Sequence, residues 1–440
     1  MTQTDLREPP ASYRWIVLLF LSLSMAGNYY IYDCINPVVD ILTANLGFSN
    51  EDVGWLNSSY SVAAVLTLLI GGILIDRLGT KKSMVLFALL CLAGALLTAV
   101  KASFWFMVVG RTVLGLGAES LIVAVTTAIA KWFKGRELSF AFGVNLTIAR
   151  LASVAADNSP SWANWAFYPN GPGSAASWQG PMFVGVGAGV LCVAAAVVYM
   201  MLEGSAERTY ALGKAGETDK LEFAGIFKFN KSYWLIVGLC FTFYSAIFPF
   251  RTFAVKFFMD THFATLSQDA ARGSAGFFNS LLPMSAMIAT PLFGLLADKI
   301  GKRAFLMTLG SFLLMPVYLT MVYSHISLWI PVTMMGIAFS LIPAVLWPSV
   351  AYIVHQNRLG TAYALMTLIQ QVGFFALNLM IGRANDFGQA SGTNPDGYAL
   401  GMWIFSSLSF LGLLFSYFLR KEETSAHAHG LETIKATSKK

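Results

Sequence analysis

Charge is what this chain has least of. Asp, Glu, Lys and Arg make up 12% of its 440 residues, against 56% hydrophobic residues and a mean hydropathy of +0.62. Soluble domains keep roughly a quarter of their residues charged, so this balance excludes a soluble enzyme and requires most of the chain to lie in lipid. Cysteine is scarce as well. Cys34, Cys91, Cys192 and Cys240 all fall inside apolar runs without metal-ligand spacing, which excludes a disulfide framework and leaves them as small apolar packers. His427 and His429, in AHAHG, are too few to argue a metal site, and no cofactor or catalytic group is expected. The net charge of +6 does not call for a nucleic acid, because bases at helix ends on one side of a membrane account for it. The longest charged stretch, Glu203 to Lys231, is too short to fold alone, which disfavours a membrane receptor or sensor.

Long apolar runs are abundant. At roughly 20 residues per span, the sequence predicts an all-α membrane protein of twelve helices, at about 14–40, 52–77, 83–100, 104–131, 137–158, 180–202, 233–258, 274–298, 303–323, 327–354, 360–383 and 397–419. The first apolar run, from Trp15 to about Leu42, is too long for a signal-peptide core and reads as a retained helix. With the N-terminus inside, most of the 29 bases fall in cytoplasmic segments, whereas the opposite side offers Lys101, Arg272 and Arg383. Positive-inside bias therefore places both termini in the cytoplasm.

Residues 71–82 read GGILIDRLGTKK and residues 294–303 read GLLADKIGKR; aligning Gly72 with Gly294 matches Gly, Leu, Asp, a base, Gly and a second base at an offset of 222. That is almost half of the chain, so the sequence is two similar halves. The expected organisation is a six-helix bundle over 1–202, a cytoplasmic linker over 203–232, a second six-helix bundle over 233–420 and a disordered cytoplasmic tail over 421–440. Internally duplicated membrane proteins are most often carriers with a substrate site near the membrane midplane. Asp76, Arg77 and Lys81, with Asp298 and Arg303 in the second copy, are candidate gating residues, able to pair across the cytoplasmic ends and release when the halves rock. On the outer side NSPSWANWAFYPNGPGSAASWQG carries Trp162, Trp165, Phe167, Tyr168 and Trp178, which read as an interfacial aromatic belt or as a lid.

An ionisable group in hydrocarbon costs several kcal/mol unless it is paired or wet, so each charge at mid-span marks a candidate site. Asp33 lies on the first span, Arg111 and Glu119 on the fourth, Arg150 on the fifth, and Arg251 and Lys256 toward the outer end of the seventh. The two acids and two bases of the first half could neutralise one another without a ligand. Arg251 and Lys256 add bases without a mid-span acid of their own, which favours a ligand carrying a carboxylate or phosphate; Lys256 also reads as a snorkelling lysine. They are five apart, about 140° around a helix, so they do not face one point. Tyr29, Tyr32, Asn145, Trp347, Gln370 and Gln371 are uncharged candidates, either lining a wet cavity or joining helices.

Twelve spans, a loop motif repeated after the second and eighth helices, and Arg111 followed by Gly115 and Gly117 resemble the major facilitator superfamily. Within it, GRTVLGLGAESLIVAVTTAIAKWFKGRELSFAFGVNLTIARLAS, FPFRTFAVKFF and LGTAYALMTLIQQVG resemble the lysosomal dipeptide-transporter branch. The resemblance implies alternating-access passage of dipeptides, with Glu119 facing the peptide amino group and Arg150 its carboxylate. The four mid-span charges of the first half favour uniport over proton coupling; an organic-anion or sugar-phosphate carrier using Arg150, Arg251 and Lys256, with Glu119 for proton coupling, is the alternative. The N-terminus lacks an acidic dileucine signal, and the sequons headed by Asn57 and Asn145 fall within helices. A bacterial inner-membrane homologue is therefore expected, a monomer in contact with membrane lipid and a small peptide substrate, with no dedicated accessory subunit.

Overall fold

Eleven stretches of the described chain are helical, long and apolar enough to cross a membrane, and the segment 50–78 completes twelve. The structure, a computed structural model, describes residues 9–133, 137–171, 173–210, 229–324, 326–355, 358–426 and 428–435, apart from the side chains at 68, 69, 76 and 139. Lys134, Arg136, most of the expected linker and His427 therefore lie outside the described residues.

Helix α1 spans Ala11–Leu46, and the run Asn50–Val100 is divided at Gly79 into α2 (50–78) and α3 (80–100). The rest of the first half is α4 Phe104–Phe133, α5 Leu138–Asp157 and α6 Gln179–Thr209. The second half holds α7 Lys231–Thr261, α8 Gln268–Ile300, α9 Arg303–Tyr323, α10 Trp329–Ile353, α11 Leu359–Phe387 and α12 Pro395–Glu423. No strand occurs among the described residues, where the β-pairing is an isolated bridge between Ser391 and Asn394. Large apolar side chains such as Leu66, Ile73, Leu292 and Leu295 are more than half exposed. Such a surface is stable against acyl chains and not against water.

The chain forms two compact units, Met1–Leu46 with Ser59–Thr218, and Gly47–Ser58 with Asp219–Lys440. Inside the first, α1 packs on α5 and α6; inside the second, α7 packs on α11 and α12, the same pattern six helices later. Both loop motifs turn on a glycine at positive φ, Gly79 at 76° and Gly301 at 74°, where L side chains are rarely found. Gly115 and Gly117 serve packing instead: a Cβ at Gly115 would lie 2.4 Å from the Tyr60 carbonyl on α2, and one at Gly117 2.7 Å from the Phe87 carbonyl on α3.

Three sequence expectations change. Glu203 does not begin a linker, because α6 continues to Thr209 and Glu203 is 1% exposed, bound to Thr80, Lys131, Trp132 and Tyr199. Gly47–Ser58 belongs with the second unit, where the Asp386 carboxylate accepts the backbone N–H groups of Asn50 at 2.9 Å and Glu51 at 2.8 Å and so caps the start of α2. Finally, the described residues of the tail expected to be disordered, 424–426 and 428–435, pack within the second unit, and Leu431 is fully buried. In the outer aromatic segment the expected belt is split. Trp162 and Trp165 are exposed, whereas Phe167, Tyr168 and Trp178 are buried within and beside two short helices, Ser159–Trp162 and Asn164–Phe167.

Candidate functional site

In the first unit α1, α2, α4 and α5 bring together a polar cluster inside an otherwise apolar bundle. The Tyr60 hydroxyl donates to Glu119 Oε1 at 3.0 Å, which fixes the carboxylate's rotamer. The Arg150 guanidinium lies over the Tyr29 ring at 5.6 Å, and Tyr29 is within the electrostatic reach of Arg150, Glu119 and Asp33 together. Tyr29, Tyr32, Glu119 and Arg150 are all half-buried. Asn145, one and a half helical turns before Arg150, is 3% exposed, and its Oδ1 finds no hydrogen-bond partner among the described residues. A buried amide oxygen of that kind is an acceptor waiting for a donor. Tyr60 is not a sequence candidate, because a neutral tyrosine on an apolar helix carries no signal of its own.

Arg111 does a different job. It is 2% exposed, donates to the Tyr32 carbonyl at 3.2 Å and the Ile31 carbonyl at 3.5 Å, and lies 5.3 Å and 5.7 Å from the Tyr32 and Tyr60 ring centres. These contacts tie α4 to the last turn before α1 bends, and the edge-to-face Tyr32–Tyr60 pair at 4.7 Å continues the tie to α2. Asp33 is 2% exposed and shares the Asn36 amide with Asp157, at 3.3 Å and 3.4 Å. Asp157, at the end of α5, is an acid that the sequence does not single out.

Arg251 is 2% exposed on α7, two residues after Pro249. Lys256 requires a correction: its ammonium is held by Asp260 Oδ2 at 3.0 Å, the Tyr398 hydroxyl at 2.8 Å and the Ala390 carbonyl at 3.4 Å. The acid that it was expected to lack lies one helical turn away. Lys256 therefore ties α7 to α12 and is not a surplus charge for a ligand. Trp347, half-buried, donates through its indole N–H to the Tyr244 hydroxyl at 2.7 Å, and the Tyr363 hydroxyl donates to the Trp347 carbonyl at 3.1 Å. Tyr244, Phe248, Phe339 and Phe374 extend this aromatic wall, and Gln370 is half-buried on α11.

Of the loop residues, Lys81 pairs with Glu207 on α6, while Lys131 meets both Glu203 at 2.7 Å and Glu207 at 3.6 Å. Arg77 is exposed, and the Asp76 side chain lies outside the described residues. In the second copy Arg303 binds Asp298 Oδ1 at 2.7 Å. Glu203, Glu207 and Asp260 are partners that the sequence alone does not reveal, although the repeat contains a clue: Glu203, Ser205 and Ala206 recur as Glu423, Ser425 and Ala426 at an offset of 220.

Twelve spans in two six-helix units, with a repeated glycine-turn motif and a few charges held inside, define a multi-pass integral membrane protein of the duplicated transporter class. The chain belongs to the Major Facilitator Superfamily, whose sequence model matches residues 21–377. It is 32% identical to the lysosomal dipeptide transporter MFSD1 of Danio rerio over 389 residues, covering 85% of this chain and 81% of that protein. With the MFSD1 of Homo sapiens it shares 30% identity over 384 residues, 85% and 80% of the two chains. Among solved structures it is similar to the nucleoside transporter NupG, with a TM-score of 0.71 at 12% identity over 91% of this chain and 98% of that one, a likeness of fold alone.

The Tyr60–Glu119 bond has a measurable consequence. A hydrogen bond to a charged group contributes about 1.5–3 kcal/mol, so Tyr60→Phe, Glu119→Gln and the double variant should show a coupling of that order in unfolding of the detergent-solubilised protein. Additive effects of the two substitutions would mean that the contact is not made.

Proposed function

We propose that the protein moves short peptides, most specifically dipeptides, by alternating access, with Glu119 holding the substrate ammonium and Arg150 its carboxylate. One observation carries the reading: the first unit sets an acid and a base of opposite roles, both half-buried, around Tyr29, on the two helices that carry the likeness to dipeptide transporters. The two ends of a dipeptide lie about 7 Å apart, which suits an acid on one helix and a base on the next. Asn145 supplies an acceptor for the peptide amide N–H, and Tyr29 and Tyr32 supply ring surface. The membrane is a bacterial inner membrane with both chain ends in the cytoplasm, in keeping with the distribution of bases and the exposed apolar surface. An organic-anion carrier is the second reading, and buried Arg251 is the observation that favours it.

A ligand that binds only the folded state raises its stability by mass action, so purified protein should be stabilised against heat by dipeptides and not by free amino acids or sugar phosphates. Glu119→Gln and Arg150→Ala should each abolish both this stabilisation and uptake while leaving folded protein in the membrane. Blocking a peptide's N-terminus should reproduce the loss of Glu119, and amidating its C-terminus the loss of Arg150. Equal binding of capped and free dipeptides would refute both assignments, and stabilisation by sugar phosphates alone would favour the anion carrier.

The loop residues Asp76, Arg77, Lys81, Asp298 and Arg303 act on the conformational equilibrium and not on recognition, since both motifs stand at helix ends, roughly half a membrane thickness from the midplane. Asp76→Asn is expected to slow transport at unchanged dipeptide affinity. The opposite result, lost affinity at an unchanged rate, would contradict a gating role.

Transport is uniport. The first unit sets two acids, Asp33 and Glu119, with two bases, Arg111 and Arg150, so the set balances in charge without a carried proton. Proteoliposomes with an imposed pH gradient should equilibrate a neutral dipeptide without accumulating it. Accumulation that collapses with the gradient would establish proton coupling instead.

A further inference from the structure

The start of α9 has no side-chain cap of its own, since Lys302 precedes it and offers no acceptor. First-turn N–H groups need partners from elsewhere, and here they come from the far end of the chain. The Arg303 N–H, which also reaches the Gly301 carbonyl, donates to the Leu431 carbonyl at 2.8 Å, and the Phe305 N–H donates to Glu432 Oε1 at 2.6 Å. The second bond places a carboxylate at the positive end of the helix. The Arg303 guanidinium, 2% exposed, donates to the Ile434 carbonyl as well as to Asp298, and lies 4.5 Å from the Tyr352 ring centre.

The same segment is pinned at a second point. Glu423, 2% exposed, accepts from Ser232 Oγ at 2.6 Å and from the backbone N–H groups of His429 at 2.9 Å and Leu431 at 3.2 Å. It also meets His429 Nδ1 at 3.0 Å. Asn230 caps α7 by accepting the Tyr233 N–H through Oδ1, so the group it turns toward His429 Nε2, at 3.1 Å, is its amide nitrogen. The imidazole thus accepts at Nε2 and carries a proton on Nδ1, toward Glu423. The first copy of the loop motif is built otherwise, with Lys81 met by Glu207 of its own unit's α6.

We propose that this end of the second unit, formed by Asn230, Ser232, Arg303, Phe305 and Tyr352, is a docking surface for a short peptide segment that turns at Gly430. Its occupant is the chain's own residues 428–435, and their docking orders the second loop motif by capping α9. The occupant's chemistry is an apolar anchor, Leu431, flanked by an imidazole and an acid. Whatever displaces the segment loosens the turn at Gly301 without touching Glu119 or Arg150, so the surface is a control point separate from substrate recognition.

Amide hydrogen exchange on the detergent-solubilised protein tests this. In a chain ending at Ala426, the amides of 303–306 should exchange at least tenfold faster than in the full chain, with α4 and the middle of α9 unchanged. Should that chain fail to fold, full-length Glu432→Ala serves in its place and should accelerate exchange at Phe305 selectively. Exchange over 303–306 equal to that of the unaltered protein, in whichever variant is folded, would overturn the proposal.

Discussion

Hydrocarbon offers no hydrogen bond and almost no dielectric screening, so a charge that leaves water must be met by the protein itself. Glu203 is met by Thr80, Lys131, Trp132 and Tyr199, drawn from α3, α4 and α6 of one unit. Arg111 is met by the carbonyls of α1 and two tyrosine rings, and Lys256 by Asp260, Tyr398 and a carbonyl. Each network draws on more than one helix, because a single helix cannot surround a charge. Removing one partner from such a buried pair typically costs about 3–5 kcal/mol, comparable with the whole stability of many domains. These charges therefore determine which helices pack together, and the apolar side chains fill in around them.

The duplication repeats this solution at the ends of the bundles and then varies it. Gly79 and Gly301 both take a positive φ, and Glu203 and Glu423 are both buried at the close of their unit's last helix. In the first unit the carboxylate gathers side chains from neighbouring helices. In the second it gathers backbone N–H groups and an imidazole from the segment that follows it. One acid in one position can serve either purpose because a carboxylate accepts from any donor that reaches it; which donor arrives depends on the chain beyond the helix.

The spans, the family and the repeat are legible in the sequence because long apolar runs and glycine-containing basic turns have few other uses in a membrane. The charges are legible too, but their partners are not. Asp260 stands only four residues after Lys256, yet beyond the expected end of the span, so the sequence does not set it against the lysine. A charge ordinarily ends a span, which makes Glu203 read as the first residue of a linker, and it is buried by contacts that no local pattern announces. Tyr60 is invisible for the opposite reason, being neutral and on an apolar helix. The polar segment after Arg420 resembles disorder by composition, while its single leucine, Leu431, is the anchor. In each case the missing information is long-range: a side chain's role depends on which helix comes to face it.

The internal charges differ in how far they are closed off from their surroundings. Arg111, Lys256 and Glu203 are nearly inaccessible, whereas Glu119 and Arg150 are half-buried although they sit in the same apolar surroundings. Both have aromatic neighbours. A tyrosine hydroxyl steers Glu119 without neutralising it, and a ring face attracts a guanidinium by about 0.5–2 kcal/mol while leaving its charge intact. An aromatic neighbour of this kind fixes the direction of a charge without cancelling it.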